Sequence, residues 1–289
     1  MHRLDGPRIK VKWAKSQIVT LNDSVQGLFE RYPYDIFKAE LNRKTGYYDV
    51  RARGGPSTLP DEWGVIIGEI AHDLRSALDG LTWQLALSGP DDPFFRTSFP
   101  ICLDRDDSKK IGDRPYPSFK ACQSKKGGCL QSVPSNFWAR IESFQPYEGG
   151  NGDLHSPLVL LNELNNTDKH RLITVLVVTP VGWHIMGPTG TGSRIKAGVP
   201  LHTNAKIGQL HQLPPNGIRV VDLDNPFTDD GRIRTRVEHE VQADIGITPG
   251  IRFGGGCDAV KRLPVIPTLA RMADQVNTIV ESFANQFRK

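Results

Sequence analysis

The chain has no apolar run long enough to cross a membrane. Its longest apolar stretch, near Leu172–Trp183, is about half the roughly twenty residues that a span needs. The opening MHRLDGPRIKVKW lacks the apolar segment of a secretory leader. Together these absences predict a soluble, cytoplasmic protein with no membrane partner. Cysteine is scarce: Cys102, Cys122, Cys129 and Cys257 are the four in 289 residues. They are too few and too scattered for a disulfide scaffold. Six residues separate Cys122 from Cys129, which is wider than a zinc knuckle allows. Reduced thiols are expected, with no cofactor and no metal. Charge of one sign is also lacking. The 36 basic and 32 acidic residues leave a net +4, mild for a dedicated nucleic-acid binder. There is no internal repeat of solenoid period.

What is present describes an ordinary globular chain, 38% hydrophobic and 24% charged. Residues 14–32 read as a helix, with Ile18, Leu21, Val25, Leu28 and Phe29 at helical spacing. The segment 34–53 reads as a β-hairpin turning at Asn42–Gly46. Residues 61–88 give the strongest helix. Pro60 and Asp61 open it, Gly89-Pro90 ends it, and Ile67, Ile70, Leu74, Ala77, Leu78, Leu81 and Leu85 form one stripe. Residues 89–133 lack sustained periodicity and read as a long loop, of the kind that is often functional or mobile. A short helix follows at 134–144 and another at 156–171, with Ser156 and Pro157 at its start. LITVLVVTP, from Leu172, reads as a buried strand. Weaker strands are expected at 181–186, 194–198, 217–223, 232–242 and 245–248, and a last helix at 267–287. The fold class is therefore α+β, taken as a single domain over 1–289. The helical part (14–32, 61–88, 134–171, 267–287) would form a bundle of about four long helices. A hairpin and a mostly antiparallel sheet (34–53 and 172–250) are inserted into it.

Two tempting motifs fail on chemistry. GPTGTGSR at 187–194 has P-loop glycine spacing, but Ser193 stands where the lysine belongs and no helix follows. FGGGCD at 253–258 places Cys257 beside glycines with no activating base. The segment 105–126 gathers Arg105, Lys109, Lys110, Arg114, Lys120, Lys125 and Lys126. It reads as a solvated loop, or as a patch for the nucleic-acid backbone. Nucleic acid at this loop and a second copy of the chain, giving a homodimer, are the partners the sequence leaves open.

Polar chemistry concentrates on two helices. On 61–88, Glu69, His72, Arg75, Ser76, Asp79 and Trp83 share about 100° of arc opposite the stripe. On 156–171, Leu158, Leu161, Leu164 and Leu172 mark the buried side, and Asn165 and Asp168 fall on it. A carboxylate there needs a partner. Arg75 or His72 is the expected one.

AHDLRSALDGLTWQL (71–85), ARIESFQPY (139–147) and SPLVLLNELNNTDKHRLI (156–173) resemble, in order and spacing, the signature segments of an uncharacterised family of bacterial proteins frequent in actinobacteria. The run Arg75-Ser76-Ala77-Leu78-Asp79 also resembles the early helix of HEPN domains, small helical bundles that include many ribonucleases. The HEPN motif sets an arginine four to six residues before a histidine, and no arginine stands at that spacing before His170. That resemblance implies a variant His–Arg centre from His72, Arg75 and His170.

Three functions follow. The first choice is a non-catalytic binding or interaction module. The second is a HEPN-like, metal-independent ribonuclease or phosphodiesterase. In it His72 or His170 is the acid/base, Arg75 or Arg171 holds phosphate charge, and Asp79 or Asp168 orients a histidine. The third is a metal-dependent hydrolase using His72, Asp73, Asp168 and His170.

Overall fold

The protein is described by a computed structural model covering residues 3–32, 34–45, 47–149, 154–178, 184–186, 192–194, 206–210, 218–221, 235–238 and 250–287. In chain order come α1 (Asp5–Arg31), β1 (Tyr34–Asn42), β2 (Tyr47–Gly54), α2 (Glu62–Ala86), β3 (Lys109–Ile111) and β4 (Arg114–Tyr116). They are followed by α3 (Phe119–Cys122), α4 (Trp138–Glu142), α5 (Pro157–Asp168) and β5 (Val175–Val178). Then come β6 (His184–Met186), β7 (Gly192–Arg194), β8 (Lys206–Leu210), β9 (Ile218–Val221), β10 (Thr235–Glu238), β11 (Gly250–Phe253) and α6 (Val265–Ser282). The class is α+β, and every pairing among the described strands is antiparallel. No helix among the described residues is long and apolar enough to cross a membrane.

The chain divides into two compact units. One comprises Asn22–Pro60 and Val175–Gly254. In it β1 and β2 form the expected hairpin, from Tyr34 opposite Gly54 to Asn42 opposite Tyr47, with β8 added along β2. β5 pairs with β11, and a further sheet runs β10-β9-β6-β7. The expected strand 245–248 lies outside the described residues, as does the start of GPTGTGSR. β8 and β11 were not anticipated from the sequence.

The other unit comprises Met1–Leu21, Asp61–Thr174 and Gly255–Lys289. All seven stripe residues of α2 are fully buried, as are Leu158, Leu161 and Leu164 of α5 and Leu269, Met272, Val276 and Ile279 of α6. α2, α5 and α6 pack pairwise on these stripes. Leu172 departs from the expected stripe: it lies past the end of α5 and is 48% exposed. α1 starts at Asp5, well before its strongest periodicity suggests. Leu4, Val11 and Ala14 extend the buried stripe, and Pro7 sits in the first turn, where a missing N–H costs nothing. α1 is tied to α6 by Arg8–Glu281 at 2.6 Å and Lys15–Asp274 at 2.7 Å.

Residues 89–133 are a packed layer rather than an open loop. Phe99, Ile101, Cys102, Tyr116, Phe119, Leu130 and Val133 are buried. β3 and β4 make a tight ribbon whose turn uses Gly112 at φ +57, a left-handed conformation that suits glycine. Glu163 of α5 anchors the ribbon. It accepts from Tyr116 Oη at 2.5 Å and pairs with Arg114 at 2.8 Å, while Asn162 donates to Tyr116 Oη at 3.1 Å. Burial, then the bond to Glu163, pushes the Tyr116 phenol up. A buried Gln145 bridges Cys102 N–H (2.9 Å) and the Pro100 carbonyl (3.1 Å).

Glycine decides the closest approach. A Cβ on Gly64 would stand 2.3 Å from the Ile173 carbonyl oxygen, and one on Gly68 would stand 2.0 Å from Asp168 Oδ1. In contrast, a Cβ on Gly27, exposed in α1, would meet nothing within 4 Å. Helix propensity favours alanine over glycine by about 1 kcal/mol. Gly27→Ala should therefore raise the melting temperature. Gly64→Ala should lower it, because overpacking against backbone costs about 1–3 kcal/mol. Thermal melts of the two variants check the pair. A stabilised Gly64→Ala would show that α2 does not touch the segment after α5.

Candidate functional site

The polar face of α2 does not act as one ladder; its neighbours divide it in three. Arg75 and Asp79 are committed to main chain. Arg75 Nη2 donates to the Phe99 carbonyl at 2.7 Å, Phe99 N–H donates to Asp79 Oδ1 at 2.9 Å, and the two side chains pair at 3.0 Å. Arg75 Nη1 is buried without a hydrogen-bond partner among the described residues, so the guanidinium is turned away from solvent. Ser76 and Trp83 lie against the start of α1, where Lys10 donates to Ser76 Oγ.

The third part opens on a cavity of about 500 Å³, lined by Glu69, His72 and Asp73 of α2, Trp13 and Gln17 of α1, and Asp168 of α5. Trp13 and Gln17 are i,i+4 neighbours and so share a face. Trp13 leaves 56% of its surface in solvent. Asp168 reaches this groove because Gly68 offers no side chain beneath it. The anticipated ion pair of Asp168 with Arg75 does not form, since Arg75 is held at Phe99. Asp168 instead feels His72. Burial raises its carboxyl above the usual carboxylate range, the His72 charge opposes the rise, and Glu69 adds to it.

Beyond the end of α5 a helical wheel no longer applies. The helix stops at Asp168, and the amides of His170 and Arg171 both return to the Thr167 carbonyl, at 3.0 and 2.9 Å. Both side chains are exposed and neither lines the groove. Of the six candidate residues, His72 and Asp168 are therefore brought together, Arg75 and Asp79 form a separate clamp, and His170 and Arg171 stand apart. Among the described residues, no group of three or more His, Cys, Asp or Glu side chains is arranged to hold a metal ion. Sequence reading missed Trp13 and Gln17, which lie on the earlier turns of α1, and the buried Glu163.

The basic segment 105–126 is partly neutralised. Arg105 pairs with Glu142 at 3.1 Å, Lys109 with Asp104 at 3.2 Å, Arg114 with Glu163 and Lys120 with Asp106 at 3.8 Å. Cys122 and Cys129 are poor nucleophiles, each thiol held protonated by contact with a neighbouring thiol and by burial. Cys102 Sγ lies 3.8 Å from Cys122 Sγ, and this contact first, then burial, pushes Cys122 up to about 12. No protein-family model, curated protein or solved structure matches the chain.

The Asp168 shift fixes a pH dependence. A carboxyl whose pKa rises on folding holds its proton more tightly in the folded chain. Its contribution to stability is complete below the unfolded value, near 3.8, and is lost as pH rises through the folded value. Asp168→Asn removes the titration. Its melting temperature should exceed that of wild type at pH 7, and the gain should shrink as pH falls through the folded value toward 3.8. Melts across that range test this; a gain independent of pH would show an unshifted carboxyl.

Proposed function

We propose that the protein is a non-catalytic binding module whose groove, walled by Trp13, Glu69, Asp73 and Asp168, receives a positively charged group of its partner, a lysine or arginine side chain. One observation supports this most: the groove offers three carboxylates and an open indole, and no lysine or arginine lines it among the described residues. An exposed ion pair is worth about 0.2–1 kcal/mol. A cation over an exposed indole adds about 0.5–1 kcal/mol. Several such contacts together give a weak, salt-sensitive site.

The same inventory speaks against RNA cleavage here. His72 is accessible to act as acid or base, but a phosphodiester would meet three carboxylates with no lysine or arginine among the described lining residues to hold its charge. Arg75 is spent on Phe99. RNA incubated with the wild type should remain as intact as with His72→Ala; cleavage lost on that substitution would restore the nuclease reading.

For binding, penta-arginine and penta-glutamate serve as probes. Penta-arginine should bind, weakening as salt rises. Trp13→Ala should weaken it about two- to fivefold, and the double variant Glu69→Gln, Asp73→Asn should abolish it. Equal binding of both peptides, or indifference to these substitutions, would overturn the proposal.

A further inference from the structure

A second cleft, of about 420 Å³, lies between the start of α1 and the C-terminal half of α2. Its lining is opposite in charge to the groove. Arg3 and Lys10 contribute two cations, and no Asp or Glu lines it among the described residues. Lys10 is half-buried, yet its partner is a neutral hydroxyl, Ser76 Oγ. Arg3 likewise meets a hydroxyl, donating from Nη1 to Ser88 Oγ at 3.0 Å. Neither forms an ion pair with another described residue. Elsewhere on α1 the rule is different: Arg8 and Lys15 each have a carboxylate on α6. A half-buried cation without a counter-charge is costly, and an anion entering the cleft would remove that cost.

The rest of the lining says what else the anion carries. Trp83 forms one wall and leaves 40% of its surface open, a face on which a planar ring can stack. Gln84, beside it, offers both a donor and an acceptor for a ring edge. Gly80 also lines the cleft, where a Cβ would make an ordinary 3.6 Å contact with Pro7 Cγ. We propose that this cleft binds a nucleoside monophosphate. Its ring lies on Trp83 and its phosphate dianion balances Arg3 and Lys10. The Ser76 hydroxyl, accepting from Lys10, has its own proton free to donate to a phosphate oxygen. A cleft of this volume is of small-ligand size. The site is separate from the Trp13 groove and does not depend on what that groove binds.

The experiment uses the full chain, calorimetry, and three probes: AMP, adenosine and inorganic phosphate. AMP should bind saturably and at least tenfold more tightly than either fragment. Lys10→Met should cost AMP about tenfold while leaving adenosine unchanged, since a hydrogen bond to a charged group is worth about that much. Trp83→Leu should weaken AMP and adenosine alike. Gln84→Ala, a surface change, should weaken AMP severalfold with an unaltered melting temperature, and it decides the matter if either other variant fails to fold. Asp73→Asn in the other groove should leave AMP binding as it is. AMP binding no tighter than adenosine, no saturation at millimolar concentration, or an AMP affinity indifferent to Lys10→Met and Gln84→Ala would overturn the proposal.

Discussion

The approach of α2 to the end of α5 is the constraint on which the candidate site depends. Two glycines one helical turn apart allow it. At Gly64 the neighbour is the Ile173 backbone, which has no rotamer with which to yield; at Gly68 it is the Asp168 carboxylate. A side chain at either position would push the two segments apart, because a packed interior does not absorb an extra methyl without strain. With the glycines in place, Asp168 is brought over α2 beside His72 and Glu69. Burial then raises its pKa. Part of the groove's negative character is thus held in place at some cost to the fold.

A second set of interactions turns an aperiodic segment into structure. Residues 89–133 carry no helical or strand pattern, yet they bury several aromatic rings. Three polar anchors position them: the Arg75–Asp79 pair at Phe99, Gln145 at Cys102, and Glu163 at Tyr116 and Arg114. Each satisfies groups that would otherwise be buried unpaired, and removing one partner of such a set costs more than the bond itself is worth. Arg75 is therefore better understood as part of the fold than as a group for phosphate.

This division explains which features were legible in the sequence. Local periodicity reports local structure, so the α2 stripe, the β1–β2 hairpin and α6 could be read directly. The polar ladder on α2 was also read correctly as geometry, since Glu69, His72, Arg75 and Asp79 do share a face. Its meaning could not be read, because that face is divided by Phe99 and by α1, both distant in sequence. His170 and Arg171 failed for a different reason. The helical pattern at 156–171 runs past Asp168, the last residue of α5, because sequence places helix ends poorly. Glu163 gave no warning, because a carboxylate flanked by leucines signals burial only once its partners Tyr116 and Arg114, some 47 and 49 residues away, are known.

α1 then sets the sign of charge along α2. Its residues meet α2 in antiparallel order: Arg3 at Ser88, Pro7 at Gly80, Lys10 at Ser76, and Trp13 with Gln17 at Glu69, His72 and Asp73. Two seams follow, little more than one helical turn apart. One is cationic, where Arg3 and Lys10 face hydroxyls; the other is acidic, where α1 contributes only an indole and an amide. Arg8 and Lys15 lie on the opposite face of α1 and pair with Glu281 and Asp274 on α6. The neutral lining that α1 gives the acidic groove thus follows from which of its faces meets α2: Trp13 and Gln17 turn toward Glu69, His72 and Asp73, while Arg8 and Lys15 meet α6.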